Sequence, residues 1–222
     1  MSVQVRVWDL PTRLFHWSLV LCVVGLFTTA WFGSADMVWH FRFGYATLSL
    51  LLFRLVWGLV GGHWSRFGSF IYAPSALKSY WRGEVLPDQR LGHNPLAALS
   101  VFAMLGFLLL QVATGLFSDD EVIAQGPLTA WVPNAWVESL TFYHADIGQY
   151  IVLALLVLHI AAIGFYLRVK QQNLIRPMLT GDKDVSQRSA MSSRDDTRTR
   201  LLALVIYLAC LGLVLCLLKL AA

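Results

Sequence analysis

"YHADIGQYIVLALLVLHIAAIGFYLR", residues 143–168, is the stretch on which the fold turns. From Ile147 to Leu167 it carries no Asp, Glu, Lys or Arg, and it matches the roughly 20 apolar residues that cross a bilayer core as a helix. It also holds His159 in its second half and starts three residues after His144. Imidazoles at such depths are rare and mark sites.

Four further blocks have the same character: Leu14 to Gly33, His40 to Gly61, Pro95 to Phe117 and Leu201 to Leu220. The chain of 222 residues is 57% hydrophobic and only 14% charged, so these blocks dominate it. The expected fold is an all-α membrane protein: a four-helix transmembrane bundle plus a fifth C-terminal transmembrane helix. Residues 1–181 form the core domain, 182–200 read as a mobile polar cytoplasmic linker, and 201–222 are the fifth span. The first block follows Arg6 and Arg13 as a secretory signal would, but its apolar run exceeds the usual 7–15 residues, approximately, of such a signal. It reads as a retained span.

Lysine and arginine are concentrated before span one, between spans two and three, and between spans four and five. By the positive-inside rule the N-terminus is cytoplasmic and the C-terminus periplasmic in a bacterial inner membrane. The exterior connections are acidic, with Asp36, Asp119, Asp120, Glu121, Glu138 and Asp146 against Arg42 alone. Topology accounts for the basic residues, so nucleic acid is not an expected partner. Membrane lipid is, because Gly62 to Asn94 mixes aromatic and basic residues as a headgroup-lying segment does. Cys22, Cys210 and Cys216 all fall inside spans and read as small apolar fillers, and no C-x-x-C-H offers covalent haem attachment.

Depth sorts four histidines into two pairs. His16 and His159 lie towards the cytoplasmic side of spans one and four; His40 and His144 open spans two and four on the exterior side. At a rise of about 1.5 Å per residue, His144 and His159 stand about 22 Å apart along one helix, offset by about 60°. That suits two stacked cofactors. Zinc would want three or four ligands at one level, and no intramembrane carboxylate accompanies the pairs for a proton relay. Two b haems, each ligated by two histidines, fit better. Gly44 and Gly148 follow His40 and His144 by four residues and would leave room for a porphyrin face. Arg42, Arg54 and Arg13 are the candidate cations for propionates. His93 in "GHNP" is a rival ligand for the inner site, and His63 is a weaker one. Tyr45, Trp39, Trp57, Gln111 and Thr114 are possible liners of a quinone pocket, although aromatic belts and helix packing explain them equally well.

"RVWDLPTRLFHW", "WHFRFGYATLSLLLFRLVWGLVG", "GHNPLAALSVFAMLGFLLLQVATGLFSDD" and "LHIAAIGFYLRVKQQNLIRPMLTG" resemble the prokaryotic di-haem cytochrome b family, which includes the b-type subunit of membrane nickel-iron hydrogenases. The resemblance covers about residues 5–181. It implies metal ligation by His16, His40, His144 and His159, with electrons passing between an exterior redox partner, a cytochrome c or an oxidoreductase subunit, and the membrane quinone pool of a respiratory chain. It leaves other functions open: a self-sufficient superoxide:quinone oxidoreductase, a nickel-iron hydrogenase subunit, or a non-redox haem carrier. The acidic exterior favours a basic protein partner over a small anion. Members of that family usually separate the span-four histidines by fourteen residues. The fifteen here call for a π-bulge at His144, or for His144 standing just before the regular helix.

Overall fold

The computed structural model describes residues 3–32, 37–83, 91–122, 124–185 and 191–221. Asp36, named above among the exterior acidic residues, lies outside them, as do Arg90 and Arg188 of the basic connections. Eight helices and two short strands follow in order: β1 (Val3–Arg6), α1 (Leu10–Phe32), α2 (Met37–Val60), α3 (Pro74–Trp81), α4 (Pro95–Gly115), α5 (Asn134–Phe142), α6 (Gln149–Arg168), α7 (Ile175–Thr180), β2 (Asp182–Val185) and α8 (Thr197–Ala221). A six-residue π-helical turn, Tyr143–Gly148, joins α5 to α6, so Asn134–Arg168 runs as one 35-residue span. Among the described residues, five helical spans are long and apolar enough to cross a membrane. Their outward side chains, such as Leu21, Leu59, Leu158, Ile160 and Val205, are more than half exposed, a surface suited to lipid and not to water. The chain is a multi-pass membrane protein.

Three of the spans begin where the sequence supplies acceptors for their first amides. Asp9, ahead of Pro11, takes the Thr12 N–H at 2.8 Å; Asn94, ahead of Pro95, takes the Ala97 N–H at 2.9 Å; Asp196 takes that of Thr199 at 2.8 Å. These are side-chain N-caps, two of them with proline in the first turn, where its missing N–H costs nothing.

The chain divides into two compact units. The first comprises residues 1–16, 54–103 and 158–206. In it β1 pairs antiparallel with β2, Val3 opposite Val185 and Arg6 opposite Asp182, and Arg6 bonds the Asp182 carboxylate at 2.6 Å. Asp195 gathers Arg6, Arg200 at 3.0 Å and the Leu10 N–H at 3.1 Å. Ser193 is buried between strand and loop, giving its hydroxyl to the Val7 carbonyl at 2.8 Å and accepting the Trp64 N–H at 3.2 Å. The stretch 182–200, expected as a mobile linker, therefore contributes a strand and a docked turn. Among its charged residues Asp182 and Asp195 find a partner in Arg6 of β1, which no local pattern reveals. Asp9, fully buried, is the hub: besides Thr12 it accepts from Ser65 Oγ at 2.7 Å, the Gly62 N–H at 3.2 Å and Trp57 Nε1 at 3.3 Å. Such satisfaction is what lets a carboxylate stay in the interior.

The second unit comprises residues 17–53, 104–157 and 207–222. Its core joins Val23, Leu48, Leu51, Leu108, Val112 and Val152 to Val214 of α8, which is 1% exposed. The fifth span, assigned from sequence to anchoring or partner contact, thus supplies core to this unit. Packing of this kind, with interhelical hydrogen bonds, is what associates helices in lipid.

Replacing Asp9 with Ala strands several buried donors at once, so D9A should lower unfolding free energy by about 3–5 kcal/mol, read as a depressed melting temperature by circular dichroism in detergent. D9N, which keeps an acceptor oxygen, should lose less.

Candidate functional site

In the first unit, α1 carries His16 and α6 carries His159; their ring centres lie 6.5 Å apart with planes at 50°. In the second, α2 carries His40 and the π turn carries His144, at 6.2 Å and 89°. The π turn absorbs one residue in the helix at the place where the fifteen-residue interval demands it, and it turns His144 towards His40.

The separations have chemical content. With a metal–imidazole bond of about 2 Å and a ring centre about 1 Å behind the nitrogen, one metal held between two rings on opposite sides sets their centres about 6 Å apart. Both pairs meet that distance without touching. Among the described residues no group of three or more His, Cys, Asp or Glu gathers to complete a coordination sphere. A metal taken up by two imidazoles here must bring its remaining ligands with it, as the iron of a porphyrin does.

The surroundings bear on the same question. A cavity of about 380 Å³ adjoins His40 and His144 and is otherwise mostly apolar, with Phe27, Tyr45, Leu108 and Val152 among its walls. Gly44 lines it, and a Cβ built there meets nothing within 4 Å. Gly148 has a different task. A Cβ there would lie 1.9 Å from Gln111 Oε1, so this glycine seats the Gln111 side chain and does not wall the cavity. Gly115, which the sequence reading passed over, is the glycine against the imidazole: its Cβ would come 2.6 Å from His144 Cε1. The only signal was its place at the end of α4 in "QVATG". Gln111 holds His144 twice, its carbonyl accepting from Nδ1 at 2.8 Å and its amide donating to the His144 carbonyl at 2.8 Å. With Nδ1 bonded to a carbonyl, the Nε2 lone pair is left for a metal.

The candidate cations separate. Arg42 is exposed and lies over the Trp39 ring at 4.8 Å, away from the cavity lining. In the first unit Arg54 is 3% exposed and lies over Phe67 at 4.7 Å, while Arg13 donates to the Leu179 carbonyl at 2.6 Å and approaches Asp195 at 3.9 Å. Each keeps one buried nitrogen without a hydrogen-bond partner, Nη1 of Arg54 and Nε of Arg13, donors suited to an acidic group. His93 stands apart from both pairs, 4.4 Å from the Phe70 ring and 4.7 Å from Trp8. Burial and the charge of Arg54 push it down to about 3, leaving it neutral. His63 packs edge-on to Trp64. Of the possible quinone liners, Tyr45 and Gln111 reach the cavity, whereas Trp57 is fully buried against Asp9 and Thr114 stands behind His144.

Comparison with known proteins supplies the family. Residues 7–181 match the family described as prokaryotic cytochrome b561. A probable Ni/Fe-hydrogenase B-type cytochrome subunit of Bradyrhizobium diazoefficiens is 30% identical, the match covering 81% of this chain and 85% of the relative. The protein of the same description from Azotobacter chroococcum is 27% identical over 81% and 88%. A probable Ni/Fe-hydrogenase 1 B-type cytochrome subunit of Escherichia coli K12 is 28% identical over 53% and 62%. With two facing imidazole pairs in an apolar helical protein and a family match over most of its length, the chain belongs to the prokaryotic cytochrome b561 family, membrane b-type cytochromes that use haem in electron transfer.

Proposed function

We propose that the chain holds two b haems, one between His40 and His144 and one between His16 and His159, and carries electrons across the bacterial inner membrane between a periplasmic redox partner and the quinone pool. The observation that carries this reading is the shared separation, 6.2 and 6.5 Å, of two imidazole pairs set in different units. Haem supplies the one-electron iron couple. The protein supplies the rest: four imidazoles as ligands, apolar walls that keep water from the cavity, and buried guanidinium nitrogens on Arg13 and Arg54 for propionates of the His16–His159 site. The Lys and Arg distribution supports an N-terminus in the cytoplasm and a C-terminus outside.

The outer partner is a basic protein surface. Glu121, Glu138 and Asp146 are exposed in the second unit, and Asp119 and Asp120 shape the loop after α4 through bonds from the Glu121, Val122 and Ala124 amides at 2.8–3.0 Å. A nickel-iron hydrogenase is the second reading for that partner, supported by the descriptions of the relatives. Superoxide as substrate has less support, because among the described residues the cavity lining includes Asp120 and no Arg or Lys. Two paired sites also argue against a simple haem carrier.

Pyridine-haem quantitation should find two b haems per chain, one of them lost from H40A or H144A and the other from H16A or H159A. H93F should retain both, and full occupancy in H144A would refute the pairing. Combined E121Q and E138Q substitutions should slow reduction or oxidation by a basic cytochrome c, on the order of tenfold at low salt, with the difference disappearing at high ionic strength. An unchanged rate constant in stopped-flow mixing would point to another docking face.

A further inference from the structure

His40 and His144 share a feature that their positions in sequence conceal. His40 Nδ1 faces the Leu26 carbonyl at 3.2 Å and Thr29 Oγ1 at 3.2 Å. His144 Nδ1 faces the Gln111 carbonyl at 2.8 Å and Thr114 Oγ1 at 3.5 Å. In each case the threonine stands three residues after the carbonyl, on the same helix, α1 in one and α4 in the other. Its hydroxyl also bonds backwards: Thr29 to the carbonyls of Gly25 at 2.7 Å and Leu26 at 3.1 Å, and Thr114 to those of Leu110 and Gln111, both at 2.9 Å.

The hydrogen count decides the roles. A carbonyl only accepts, so the proton between it and the imidazole belongs to Nδ1. The threonine proton is spent on the helix carbonyls one turn back, so the hydroxyl oxygen offers a lone pair to the same Nδ1–H. We propose that Thr29 and Thr114 are positioning residues for the two imidazoles, each forming with the carbonyl three residues before it a two-acceptor clamp on the Nδ1 proton. The clamps fix which nitrogen faces the cavity, hold the ring planes near perpendicular, and make each imidazole a stronger electron donor through its other nitrogen. The inference rests on the reading that His40 and His144 ligate haem.

The two clamps are unequal, and this makes the idea testable. His40 divides its proton between acceptors at equal distance, whereas the 2.8 Å carbonyl dominates at His144. Threonine to valine keeps the shape and removes the acceptor. On purified haem-loaded protein, a potentiometric titration followed optically should show T29V raising the midpoint potential of one haem and leaving the other unchanged, because a weaker donor stabilises ferric iron less. T114V should shift the same haem by a smaller amount, T29S should return it towards wild type, and the low-temperature EPR signal of that haem should move in parallel. Loss of that haem from T29V with recovery in T29S also supports a role for the hydroxyl; loss in both would assign Thr29 to packing and overturn the proposal. Retained haem with unchanged potential and EPR signal in both valine variants would overturn it too. If H40A and H144A keep two haems, the ligand reading itself has failed, which separates the two ideas.

Discussion

The constraint behind the arrangement is the gap of about six ångströms that each histidine pair must keep open inside lipid. Two imidazoles left to themselves would pack against each other or seek hydrogen bonds, and an apolar interior offers little else to polar groups. Holding them apart and facing requires rigid supports on both sides. Helices provide these, since every backbone group within the bilayer must be satisfied locally. The pairs sit on helical segments, and around His40 and His144 backbone carbonyls and threonine hydroxyls lie within reach of the ring Nδ1.

Much of this was legible in the sequence, for a physical reason. Span length and apolarity follow from bilayer thickness, and an intramembrane histidine stands out against an apolar background. Even the π turn at His144 could be anticipated, because one extra residue between the two span-four histidines has to be absorbed somewhere. Contacts that join distant residues were not legible. Gly148 and Gly44 occupy equivalent places after their histidines, yet only Gly44 faces the cavity, and the difference lies in where Gln111 of α4 points. The Leu26 carbonyl has no sequence signature at all, since any residue supplies one. Arg42 looked like a cofactor cation from its nearness to His40, but Trp39 one turn earlier holds it.

The same limit explains the polar segment 182–200. Its composition is that of a linker, and by local criteria it is one. Asp195, Ser193 and β2 become structural only because Arg6, Val7 and β1 wait at the other end of the domain. Charged residues that look solvated in a window of ten can be committed to partners more than 170 residues away.

That pairing imposes an order on biosynthesis. β1 leaves the ribosome long before its partner strand, which begins at Asp182, and its docked turn, which follows at Ser193. At synthesis rates of about 5–20 residues per second, β1 stays unpaired for roughly 10–35 s while four spans are made and inserted. During that interval Val3, Val5 and their amides form an open edge, the kind that invites foreign pairing. The first unit closes only after the fourth span is complete, when the helices that carry His16 and His159 are already in the membrane. The ribbon thus acts as a seal on assembly as well as a fastening of the finished molecule.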